Sequence, residues 1–156
     1  MPDTKPKAEA SKLELVEFFP YQLSVVANRV SQSIARIFKE KFDLQIPEWR
    51  ILVTLYSVDE MSFAEVTEKT SMDKTRVSRA QRRMIDLGLI TAEMDANDKR
   101  KVNLSLTENG RDICREIIPE AKARDAWLQE VITPEEQKQL ERIMAKLFAR
   151  TQELSD

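Results

Sequence analysis

Apolar residues recur at three- and four-residue steps along most of this chain, which predicts a mainly helical protein. Leu23, Val26, Ala27, Val30, Ile34, Ile37 and Phe38 form one such stripe, on a helix reaching about Lys41. Pro20 closes a cluster of Leu13, Leu15, Val16, Phe18 and Phe19 and suits that helix's first turn. A second helix starts at Pro47, with Trp49, Leu52, Val53 and Tyr56 inside it. The period changes to two in one region: Val102, Leu104 and Leu106 alternate with Asn103 and Ser105. Together with Leu89 to Met94 this reads as two short strands around a polar loop, Asp95 to Lys101. Thr107 then caps a helix bearing Ile113, Cys114, Ile117 and Ile118, which Pro119 should kink or interrupt. Thr133-Pro134-Glu135-Glu136 combines an N-cap, a proline at the first helical position and a capping-box glutamate. The helix it starts is lined by Leu140, Ile143, Met144, Leu147 and Phe148. Met1 to about Ser11 has no apolar period and reads as a disordered tail.

The middle of the chain holds the most specific arrangement. Ser62 and Glu65 make a capping box for a short helix ending near Lys69, and Met72-Asp73 offers the cap of the next. On a wheel of about 100° per residue, Val77, Ala80, Met84 and Leu87 cluster as a buried stripe, and Gly88 suits the left-handed position beyond the helix end. Thr75, Ser78, Arg79 and Arg82 fall opposite, flanked by Lys74, Arg76 and Arg83. A capped helix, a basic helix and a charged hairpin in that order are a winged helix-turn-helix. Arginine can donate two hydrogen bonds to guanine, and serine or threonine can meet base edges or phosphates. Alone, the basic helix is equally well read as a solvated face; its neighbours favour DNA. At the hairpin tip stand Asp98, Lys99, Arg100 and Lys101. A carboxylate two residues before Arg100 can orient its guanidinium toward a narrow minor groove; the plain alternative is an exposed turn ion pair worth about 0–1 kcal/mol.

Composition limits the other chemistries. The chain of 156 residues fits one domain with an extension. It has no histidine, which removes His-based metal sites and Ser-His or Cys-His catalysis. Its glycines, Gly88 and Gly110, are too few and too far apart for a phosphate loop. No cofactor, metal site or catalytic residue is expected. The net charge of −2 hides its distribution. Residues 71–101 carry eight basic against five acidic side chains, a net +3, and local charge governs phosphate contact. Cys114 is the single cysteine and cannot form an intramolecular disulfide, which points to a reducing cytoplasm; flanked by isoleucines, it reads as a small buried hydrophobe. No stretch reaches the roughly 18 apolar residues of a membrane span, so no membrane partner is expected.

Met72-Asp73-Lys74-Thr75-Arg76-Val77-Ser78-Arg79, Asp86-Leu87-Gly88-Leu89-Ile90, Asp95-x-x-Asp98-x-Arg100, Leu106-Thr107-x-x-Gly110 and Ile46-Pro47-Glu48-Trp49-Arg50-Ile51-Leu52 together resemble MarR-type transcriptional regulators over about residues 20–152. The resemblance implies a fold of mainly α class with a small β wing, in which N- and C-terminal helices interlock a homodimer. It divides the chain into a tail (1–11), N-terminal dimerisation helices (12–46), a winged helix-turn-helix (47–107) and C-terminal dimerisation helices (108–156). It implies binding of a double-stranded operator through Lys74, Thr75, Arg76, Ser78, Arg79, Arg82, Asp98, Lys99 and Arg100. It also implies release by a small aromatic or anionic effector. Asn28, Arg29, Arg36, Trp49 and Arg50 are the pocket residues it suggests, and an arginine beside aromatic side chains suits an aromatic acid or its acyl-CoA thioester. Tyr21 to Leu52 is most similar to the branch answering to hydroxycinnamates or their CoA thioesters. The chain departs from the family at Thr91-Ala92-Glu93, where many members carry arginine, so a backbone contact from the first wing strand does not carry over. Two other functions stay open from sequence: a winged-helix module that binds protein rather than DNA, and, with the least support, a small enzyme.

Overall fold

A computed structural model describes residues 12–153, so the tail expected over 1–11 lies outside the described residues. After a 3₁₀ turn at Leu15–Glu17, helix α1 spans Phe19–Phe42 with Pro20 in its first turn. It stops at Asp43, whose left-handed backbone (φ 54°) turns Leu44 into the core. Helix α2, Ile46–Tyr56, starts on a capping box that the sequence reading missed: Gln45 and Glu48 satisfy each other's backbone amides. Helix α3 (Phe63–Thr70) carries the Ser62–Glu65 box, and Asp73 caps helix α4 (Lys74–Asp86).

Strands β2 (Ile90–Met94) and β3 (Val102–Leu106) form the hairpin, with Ile90 opposite Leu106 and Met94 opposite Val102. A two-residue strand, β1 (Met61–Ser62), pairs antiparallel with the other edge of β3, giving the order β1-β3-β2. Two residues carry no readable alternation, and their pairing is long-range, which is why no sequence pattern announced them. Helices α5 (Glu108–Gln129) and α6 (Pro134–Gln152) complete the chain.

The core lies where α2 crosses the other elements. Phe38, Leu44, Ile51, Leu52, Leu55, Val66, Val77, Met84, Leu104, Cys114 and Ile117 are all sealed from solvent. Two expectations need correction. Of the kink or interruption expected at Pro119, the interruption does not occur: α5 runs on for ten residues beyond it. Proline removes a single hydrogen bond to Arg115, and both residues are exposed, so water can take the missing donor's place. Leu87 is 44% exposed rather than buried. The helix ends at Asp86, Gly88 (φ 68°) reverses the chain, and Leu89 and Ile90 fill the core in its place.

Candidate nucleic-acid interface

Helix α4 rests on Val77, Ala80 and Met84, which are at most 5% exposed. That underside fixes the opposite side: Lys74, Thr75, Arg76, Ser78, Arg79 and Arg82 all face solvent. A shallow groove of about 440 Å³ between Phe63 and α4 is lined by Lys74, Thr75, Ser78, Arg79 and Arg82, so these side chains converge on one surface. Asp73 accepts a hydrogen bond from the Arg76 amide (2.9 Å) and sits 3.3 Å from its Nε. Arg76 is thus paired locally. Lys74, Arg79 and Arg82 have no carboxylate within 4.0 Å among the described residues, which leaves their charge for an external anion.

The wing is built around Asp95. Its carboxylate accepts from the amides of Asn97 (2.8 Å) and Asp98 (2.9 Å) and from Asn103 Nδ2 (3.1 Å). The amide of Asn97, then that of Asp98, holds the Asp95 carboxyl below its ordinary range. Asp98 behaves differently from the sequence reading. Its Oδ1 accepts from the backbone amide of Arg100 (3.1 Å), and no ion pair joins it to the guanidinium among the described residues. A carboxylate two residues upstream in a turn naturally meets the backbone N–H, an Asx turn, so Asp98 shapes the loop rather than aiming the side chain. Lys99 and Arg100 project from that loop into solvent.

Arg83 also departs from expectation. The wheel put it beside the DNA face, yet its guanidinium turns back to Glu48 (2.6 Å) and Asp43 (2.7 Å). The Glu48 hydrogen bond, the larger influence, raises the Arg83 pKa above its ordinary value. Glu48 is 3% exposed, and sequence reasoning missed it as a functional candidate. The Pro47-Glu48 pair announced a helix start, but nothing local tied that carboxylate to an arginine 35 residues on.

Of the five suggested effector residues, Arg50 and Arg36 line two separate open cavities, and Asn28, Arg29 and Trp49 line neither. Arg50 lines one of about 510 Å³ with Glu48, Met72, Arg76, Arg79 and Arg83, beside the basic side of α4. Arg36 lines another of about 490 Å³ with Gln32, Lys39, Leu44 and Pro47, between α1 and the start of α2. Trp49 packs against Phe38, ring centroids 5.2 Å apart, and its buried Nε1 has no acceptor among the described residues. Asn28 and Arg29 are exposed on α1, away from the residues lining either cavity.

Residues 42–101 match the sequence profile of the MarR family. The chain is 26% identical over 123 residues to an uncharacterized HTH-type transcriptional regulator of Bacillus cereus, covering 78% of this chain and 82% of that protein. It is 32% identical over 95 residues to the HTH-type transcriptional repressor IacR of Pseudomonas putida, which spans 60% of this chain and 56% of IacR. Among solved structures, a MarR/EmrR family regulator from Acinetobacter sp. ADP1 superposes with a TM-score of 0.82 at 24% identity, over 90% of this chain and 99% of the other. MepR of S. aureus, solved bound to DNA, gives 0.79 at 19% identity over 85% and 98%. BpsR of Bordetella bronchiseptica, solved in a study of DNA-binding control by 6-hydroxynicotinic acid, gives 0.68 at 23% identity over 81% and 98%.

Proposed function

We propose that this chain is a MarR-type regulator, a homodimeric repressor that binds a pseudo-palindromic operator and releases it when a small aromatic or anionic molecule binds; the match of residues 42–101 to the MarR family supports the reading. The observation that carries the DNA reading is the segregation of α4. Its apolar side is sealed, and Thr75, Ser78, Arg79 and Arg82 share one solvated surface with cations not matched by local carboxylates. In this reading Thr75, Ser78 and Arg79 meet base edges in the major groove. Lys74, Arg76 and Arg82 meet phosphates, and Arg100 enters the minor groove from a loop shaped by Asp98.

The dimer reading draws on apolar surface that the single chain leaves uncovered. No residue of α6 is buried among those described, and Ile143, Met144 and Phe148 are 51–60% exposed. Leu13, Val16, Phe19 and Val26 near the other end are similarly open, so both termini offer material for interlocking. The effector reading draws on the cavities at Arg36 and Arg50, where a guanidinium suits a carboxylate. An aromatic acid or its CoA thioester is the class we propose, and the hydroxycinnamate branch is one member of it.

A duplex selected by the chain from a randomised pool tests the reading. The selected sites should be inverted repeats with half-sites about 34–36 Å apart. Their log affinity should fall steeply with log salt as phosphate counterions are released. Arg79→Ala and Arg100→Ala should each weaken binding about 5- to 100-fold without altering the assembly state. A flat salt response, or equal affinity for random duplex, removes the DNA reading in favour of a protein-binding module.

A further inference from the structure

Helix α4 is seated on Val77, Ala80 and Met84 along one side of its cylinder, and its basic side chains lie on the other. One ionic structure adds what the core does not. Glu48 Oε2 accepts from the Gln45 amide at 2.7 Å and from Arg83 Nη1 at 2.6 Å. Arg83 Nη2 donates to the Asp43 carbonyl (3.0 Å) and to Asp43 Oδ2 (2.7 Å). Lys39 also pairs with Asp43, which keeps that carboxyl below its ordinary range and therefore charged. A side chain near the end of α4 is thereby joined to the start of α2 and the end of α1.

This arrangement differs from the cations around it. Arg83 is 32% exposed where Arg76 is 71% exposed, and its guanidinium donors already meet three acceptors. A guanidinium so engaged is poorly placed to serve a phosphate. Buried ion pairs add little net stability, because desolvation offsets their attraction, but they penalise arrangements that break them. Such a pair is therefore better suited to fixing an orientation than to holding a fold together.

We propose that the Glu48–Arg83–Asp43 bridge is a positioning device that sets the rotation of α4, and so the angle at which Thr75, Ser78 and Arg79 meet the bases. The proposal rests on the DNA-binding reading above, deepens it, and makes Arg83 a positioning residue rather than a phosphate ligand.

Glu48→Gln keeps the acceptor for the Gln45 amide and removes the charge; Arg83→Met keeps the stem and removes the fork. In the full chain each should reduce the preference for the selected duplex over a scrambled one about tenfold, the scale of losing one base contact. The double variant should be no worse than either single one, since both break the same bridge. The salt slope should stay that of the unaltered chain, because no phosphate contact is lost. In the DNA-free protein, amides of residues 74–86 should exchange faster with deuterium in both variants. Asp43→Asn, which suits a left-handed position and leaves the buried pair intact, should act in the same direction to a smaller degree and serves if the other variants do not fold.

Suppose Glu48→Gln binds as before while Arg83→Met weakens both duplexes and lowers the slope by about one contact: Arg83 is then a phosphate ligand and the proposal fails. Unchanged duplex preference despite lower melting temperatures also overturns it, as that is the mark of a merely structural pair. Should the unaltered chain select no duplex, the DNA reading fails separately; α4 exchange then decides, and unchanged exchange in both variants overturns the bridge as well.

Discussion

At Cys114 the thiol is fully sealed, and burial pushes its pKa up to about 11, against a small opposing influence from Arg111. It is protonated at neutral pH and presents no nucleophile. Iodoacetamide at pH 8 should leave the native protein unmodified over a period in which the urea-unfolded chain is fully alkylated; prompt native labelling would contradict the burial. This residue was legible in advance because isoleucines at helical spacing leave a cysteine among them little choice. Arg83 was not. A wheel gives the direction in which a side chain leaves its helix, and a long arginine placed at a boundary turns toward whichever carboxylate is near. That carboxylate came from α2, and the pairing of Arg83 with Glu48 is set by tertiary contact alone.

Among elements, the join between α5 and the hairpin is close at Gly110. A methyl group placed on Gly110 would lie 2.1 Å from the Leu89 carbonyl oxygen and 3.1 Å from its carbon, both backbone atoms that cannot step aside. Gly110→Ala should therefore destabilise the fold by about 2–3 kcal/mol, read from the midpoint of urea unfolding. The wing depends instead on ionisation. Asp95 has a folded pKa below its ordinary 3.8, so the stability it supplies is present above that value and is lost as pH falls through the lower one. Amide signals of Asn97 and Asp98 should stay as they are from pH 7 to 5 and shift together below about pH 3.8; a wing unaltered at pH 2 would show that Asp95 does not hold it. Caps such as Ser62, Asp73, Thr107 and Thr133 were readable because each satisfies orphan amides within three residues. The Gln45–Glu48 box was hidden by an uncommon N-cap residue.

For the molecule as a whole, the described residues from Leu13 to Val26 and those of α6 carry apolar side chains suited to a core that one copy leaves largely exposed. In our reading a second copy supplies it. Met144→Glu combined with Phe148→Glu should then convert the sedimenting species from dimer to monomer, and operator affinity should fall with it; a monomer in the unaltered chain at micromolar concentration would refute the homodimer. The helical stripes of α1 and α6 were clear from sequence, whereas which parts stay uncovered depends on tertiary packing that no periodicity records. The order of the small sheet has a mechanical result. Because β3 is bonded along both edges, and Ser62, opposite Asn103, is also the residue that starts α3, the hairpin and helix α3 are tied into one unit. Asn103 tightens that coupling by donating to both Glu60 and Asp95. In our reading, a phosphate that meets the wing therefore also bears on the root of α3, and the parts of the lobe that face the duplex tilt together.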